Sequence, residues 1–156
     1  VAVGIGSAGS VRVGWGVGAR DLPAARRSGL VAFGSGALFM SATALMFIVM
    51  PEPLARLLSP NDGVVAVASS LFVVTAVFQV SDGVQGVGAG VLRGYADTRF
   101  TFIANVIGHW FIGLPLSWWL GVRGDLGVVG LWWGLSAGLS VVGVAVFTWA
   151  YWTAAV

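Results

Sequence analysis

The sequence predicts an all-α fold, a polytopic transmembrane helix bundle, and three observations carry that reading. First, 58% of the 156 residues are hydrophobic and only 9% are charged, against about 25% charged in an ordinary soluble domain. Second, apolar runs recur that meet the ~18-residue minimum for crossing a hydrocarbon core about 30 Å thick. Third, small residues recur at every fourth position in three places: Gly6, Ser10, Gly14, Gly18; Gly86, Gly90, Gly94; and Gly130, Gly134, Gly138. Helices in lipid gain little hydrophobic driving force from association, so such ladders favour tight backbone-to-backbone packing.

Five segments follow in order: 1–19, Gly-rich; 28–50; 63–92; 100–122; and 127–152. Pro115 lies inside the fourth, removes a backbone donor there and predicts a kink with a freed carbonyl. The connectors set the orientation. Residues 20–27 (RDLPAARR) hold three arginines and 93–99 (RGYADTR) hold two, whereas the alternating connectors contain only Arg56 and Arg123. The positive-inside rule then makes loops 20–27 and 93–99 cytoplasmic in an inner (plasma) membrane protein. The connector PEPLARLLSPND, 51–62, carries Leu54, Leu57 and Leu58 at helical spacing. Either it is a short interfacial helix or a capped turn whose leucines pack on the bundle. The chain begins at Val1 with neither an initiator Met nor a basic leader, which predicts a piece of a longer protein.

Several functions are disfavoured. No cysteine is present, so disulfides, thiolate metal sites and thiol nucleophiles drop out. All eight basic residues are arginines, and they sit at segment ends rather than along one face, which argues against nucleic acid as a partner. The stretch GIGSAG, 4–9, matches G-x-G-x-x-G, yet no strand precedes it and Asp21 follows too soon to serve a dinucleotide. There is no nucleophile with a nearby base, so no enzyme activity and no cofactor are expected.

Asp82 is the sharpest signal. An ionised Asp near mid-bilayer costs roughly 2.5 to 3.5 kcal/mol, and such residues face a bundle interior or a watery cavity. Helical geometry puts Thr75, Phe78, Gln79, Asp82, Gln85, Gly86 and Ala89 in one broad sector, two carboxamides flanking one carboxylate. Those oxygens suit a hard cation such as Na+, or the sharing of a proton. The structural alternative is a protonated Asp that hydrogen-bonds a neighbouring helix as glue. His109 lies one turn after Asn105 at membrane depth. It reads more simply as a packing residue than as a relay. Arg12 is placed to snorkel toward the first connector, and Trp110, Trp118, Trp119, Trp132 and Trp133 read as an aromatic belt.

Four stretches carry a family resemblance: 10–29 (SVRVGWGVGARDLPAARRSG), 78–100 (FQVSDGVQGVGAGVLRGYADTRF), 105–120 (NVIGHWFIGLPLSWWL) and 127–139 (GVVGLWWGLSAGL). In order and spacing they resemble the second six-helix lobe of the multidrug and toxic compound extrusion (MATE) family. The resemblance implies a twelve-helix, two-lobe transporter, with this chain supplying about five helices of the C-terminal lobe and an N-terminal lobe from the same full-length chain as its partner. It implies antiport, the export of cationic or amphipathic compounds in exchange for Na+ or H+, with Asp82 in the coupling-cation site, Gln79 and Gln85 supporting it, and Asn105 and His109 as accessory candidates. Two departures stand out: Ala96 where the family's turn motif has a second glycine, and His109 where an aromatic is commoner. The rival readings are a lipid-linked oligosaccharide flippase of the same superfamily, and a non-transporting structural membrane subunit.

Overall fold

The computed structural model describes residues 1–153, and these form six helices: α1 (Ala2–Gly18), α2 (Leu22–Val49), α3 (Pro51–Leu58), α4 (Asp62–Gly94), α5 (Arg99–Arg123) and α6 (Gly127–Thr153). Four of them, α2, α4, α5 and α6, are long and apolar enough to cross a membrane. α1 is helical from the second residue of the chain, and its 17 residues account for about 26 Å of the segment expected over 1–19. α4 is the hub, packing on α1, α2, α3 and α6. The core around it is made of Val87, Val91 and Leu92 of α4 with Val13, Ala25, Phe33, Val142 and Val146. Leu38, Leu45, Ile48, Trp110 and Phe111 point outward instead, the inverse of a soluble surface and the expected coat of a bundle in lipid.

The small-residue ladders are the seams. α1 and α4 lie parallel, and their ladders meet each other: a Cβ on Gly90 would come within 3.0 Å of the Gly6 backbone, and one on Gly94 would meet the Ser10 carbonyl at 2.7 Å. The third ladder serves α5. A Cβ on Gly134 would strike the Ser117 backbone, and one on Gly138 would meet the Gly108 carbonyl at 2.5 Å. Ser117, itself 4% exposed, donates to the Leu131 carbonyl across that seam at 2.9 Å. Missing side chains thus set two interhelical distances.

Pro115 acts differently from a simple kink. α5 widens into π-helical turns over Ile107–Gly113 and again over Trp119–Arg123, with regular helix between them. In the wide turn ahead of Pro115 the Leu114 N–H reaches back five residues to the His109 carbonyl.

Both arginine-rich connectors use one device. At the end of α1 the Arg20 N–H bonds the Val17 carbonyl and the Asp21 N–H the Gly16 carbonyl; at the end of α4, Ala96 bonds Arg93 and Asp97 bonds Leu92 in the same pattern. This is a Schellman ending, and it puts Arg20 (φ 59°) and Ala96 (φ 61°) in the left-handed region. The next residue then caps the following helix: Asp21 accepts from the Ala24 N–H at 3.0 Å, and Asp97 from the Phe100 N–H at 3.3 Å. Helix α2 therefore starts at Leu22 and not near residue 28, so Arg26 and Arg27 ride on its first turns instead of in a loop. Asp97 does more, since its other oxygen accepts from Trp149 Nε1 at 2.6 Å while Trp149 stacks on Phe100 at 4.6 Å. The turn thereby ties α5 to α6.

The 51–62 connector is helical over Pro51–Leu58, with Arg56 bridging Glu52 and Asp62 at 3.0 Å each. These two acids hold the Arg56 pKa above its ordinary value, with the Glu52 hydrogen bond leading. Its buried residue is Ala55, while Leu57 and Leu58 are 83% and 79% exposed. Leu57 and Leu58 do not pack on the bundle, while Leu54 is half-buried.

Candidate functional site

The site is built on the middle of α4, where three polar neighbours of Asp82 turn to three different helices. Gln79 Nε2 donates to the Met40 carbonyl of α2 at 3.3 Å and also to the Thr43 hydroxyl. Ser81 bonds Ser140 of α6, oxygen to oxygen at 2.7 Å. Because Ser140 spends its own proton on the Ser136 carbonyl, Ser81 is the donor. Gln85 Nε2 donates to Asn105 Oδ1 of α5.

Asp82 lies between these ties and is exposed. No described residue donates a hydrogen bond to it, and the ion pairs among the described residues both belong to Arg56. The helix explains why. Successive residues turn by about 100°, so residues 79 and 85 fall on opposite flanks of residue 82, one toward α2 and one toward α5. The two carboxamides thus share the sector with Asp82, but their N–H groups are committed elsewhere. Bulk is absent on both sides, for Gly83 receives Met40 and Gly86 faces Ala2. One turn below Asp82, Phe78 meets Trp132 edge-to-face at 5.5 Å.

The accessory candidates continue the line along α5. Asn105 Nδ2 donates to the Thr101 carbonyl at 2.8 Å, and His109 Nδ1 lies 3.1 Å from the Asn105 carbonyl. That contact makes Nδ1 the protonated nitrogen when the ring is neutral. His109 sits within the wide turn before Pro115 and is half-buried. It is linked to Gln85 through Asn105, and no described bond connects it to Asp82.

Sequence reasoning missed Ser81, Ser140 and Thr43. Ser136 and Ser140 are four apart on one face of α6, the available hint of a polar stripe, but nothing in spacing says which helix it meets. Arg12, expected to snorkel, lies in a cleft between α1 and α2 shared with Arg27.

Long apolar helices packed around a central α4 define a polytopic membrane protein. The MatE family model matches residues 1–119. Over 149 residues the chain is 46% identical to the multidrug resistance protein NorM of Burkholderia vietnamiensis, covering 92% of this chain and 32% of that protein. It is 39% identical to the multidrug resistance protein MdtK of Proteus mirabilis, with 95% and 33% covered. Two solved transporters share the fold: the eukaryotic MATE transporter AtDTX14, at TM-score 0.89 and 20% identity over 99% of this chain and 36% of that one, and an inward-facing multidrug resistance MATE transporter of the MOP superfamily, at 0.85 and 21% over 95% and 33%. The chain belongs to the MATE family of multi-pass membrane transporters, which are not enzymes. It spans about a third of the length of the curated relatives it matches.

Proposed function

We propose that this chain forms most of the C-terminal lobe of an inner-membrane antiporter that exports cationic or amphipathic compounds in exchange for Na+ or H+, with Asp82 as the residue that holds the coupling cation. The observation that carries the reading is the state of Asp82: a mid-helix carboxylate with no hydrogen-bond partner among the described residues, on the face of α4 between the helices that take Gln79 and Gln85. A charge so placed needs a counterion or a proton when the protein sits in lipid. The arginine connectors, with Arg20, Arg26, Arg27, Arg93 and Arg99 at one end of the bundle, support a cytoplasmic position for that end. The open face of α4 is where an N-terminal lobe would close the cavity.

Coupling follows from charge. A single carboxylate in a low-dielectric cavity binds a cationic substrate and the coupling ion in competition. Arrival of the ion from outside neutralises Asp82 and releases the substrate, and alternate exposure of the site completes the cycle. The structural-subunit reading needs Asp82 to be bonded to a neighbouring helix, and here Ser81, Gln79 and Gln85 make those bonds instead.

The test is gradient-driven efflux of a fluorescent organic cation from everted vesicles carrying the full-length protein, with Na+ and pH gradients imposed separately. Asp82→Asn should weaken binding of the cationic dye and lose gradient-driven movement. Transport by the variant at the wild-type rate overturns the assignment.

A further inference from the structure

Six of the eight arginines, Arg12, Arg20, Arg26, Arg27, Arg93 and Arg99, occupy the end of the bundle formed by the α1–α2 and α4–α5 turns. The acids available to them there, Asp21 and Asp97, are engaged as helix caps, and Asp97 also accepts from Trp149. Arg26 is satisfied over the Tyr151 ring at 4.6 Å. Two of the others converge. Arg12 of α1 and Arg27 of α2 line one cleft of about 360 Å³ between the two helices, with Ser28 beside them and Ile5, Val31 and Ala32 along its wall. Both arginines are exposed, and among the described residues no carboxylate lines the cleft.

We propose that this cleft binds an anionic phospholipid, its headgroup phosphate held between Arg12 and Arg27 and its acyl chain lying on Ile5, Val31 and Ala32. Two guanidiniums present donors in the fork geometry that matches phosphate oxygens, and the Ser28 hydroxyl adds a neutral donor. The wall beyond them is apolar apart from Ser35 and lies along α2, one of the helices able to cross a membrane, which suits an acyl chain and adds no contact for free phosphate. Covering the cleft with an apolar helix would instead bury two arginines without counterions, at a cost of several kcal/mol per ion. A phosphodiester brings the compensating charge with it, and basic pockets between helices on the cytoplasmic side are where such headgroups bind.

Native mass spectrometry of the purified protein in neutral detergent tests this, titrated in turn with phosphatidylglycerol, phosphatidylcholine and inorganic phosphate. Wild type should retain phosphatidylglycerol in preference to phosphatidylcholine. Arg12→Gln with Arg27→Gln should weaken phosphatidylglycerol binding at least ten-fold, while Arg93→Gln with Arg99→Gln, which removes equal charge from the same end outside the cleft, should not. Melting temperatures in lipid-free detergent separate lost binding from lost folding, and Arg12→Lys with Arg27→Lys, which keeps the charge, should bind with intermediate strength. Equal retention by both double variants, equal retention of the two lipids, or competition by inorganic phosphate alone overturns the proposal. So does a cleft closed by another part of the protein, read as the absence of bound lipid in wild type.

Discussion

The C-terminal half of α4 divides in turn into a polar half and a glycine half that make opposite use of the same helix. From Gly86 to Gly94 its surface is defined by side chains that are not there: Gly90 and Gly94 admit the α1 backbone, Gly88 admits Val146 and Phe33, and Val87, Val91 and Leu92 are buried between them. From Gln79 to Gln85 the surface is defined by polar side chains, three tied to α2, α6 and α5, and one, Asp82, tied to nothing described. The first half fixes where the helices sit. The second leaves a charge standing on the fixed frame. A site that must accept and release an ion needs a rigid surround and an uncommitted ligand, and α4 supplies both within four turns.

If the glycine half is the frame, filling it should be the largest perturbation available. Gly90→Val drives side-chain atoms into the Gly6 carbonyl, which as backbone in a helix cannot swing aside. We expect a loss of ~3 kcal/mol or more, seen as a sharp drop in the yield of folded protein by size-exclusion chromatography. Gly134→Val should behave alike at the α5–α6 seam, where the Ser117 backbone is in the way.

A smaller loss tests whether turns belong to the frame. Asp97→Ala removes the α5 cap and the Trp149 bond together, and should cost about 1 to 3 kcal/mol, measured as a lowered melting temperature. In the other direction, Ala96→Gly relieves a left-handed residue with a Cβ. It should stabilise by about 1 kcal/mol, read on the same melting curve. The turn keeps its bonds with Ala96 in place.

The sequence made some of this legible and hid the rest for identifiable reasons. Hydropathy located the four long apolar helices α2, α4, α5 and α6, because solvent alone decides which runs are apolar enough for lipid. The ladders announced close packing, but a ladder specifies a face and not its partner, so the pairing of Gly90 with Gly6 and of Gly134 with Ser117 needed coordinates. Three arginines made 20–27 look like a loop, although α2 already begins at Leu22 with Asp21 as its cap. Asp82 was conspicuous since a charge in an apolar run carries its own cost. The destinations of Gln79 and Gln85 were not conspicuous, since an amide accepts any neighbour and helical periodicity puts them only on opposite flanks. Pro115 signalled disruption, and the form it took, wide turns on either side of a regular stretch, depends on how Gly108 and Gly113 fit against Gly138.

Asp82→Asn should be the smallest of these changes in stability, within about 0.5 kcal/mol, because an exposed and unbonded group contributes little to the fold. It is also the most direct test of the central claim that the frame and the coupling group are separable. The melting temperature and the gradient-driven efflux of the same purified variant should be measured together. Our account predicts an unchanged melting temperature with coupled transport abolished. A variant that melts well below wild type, or that melts normally and still couples efflux to the gradient, would contradict it.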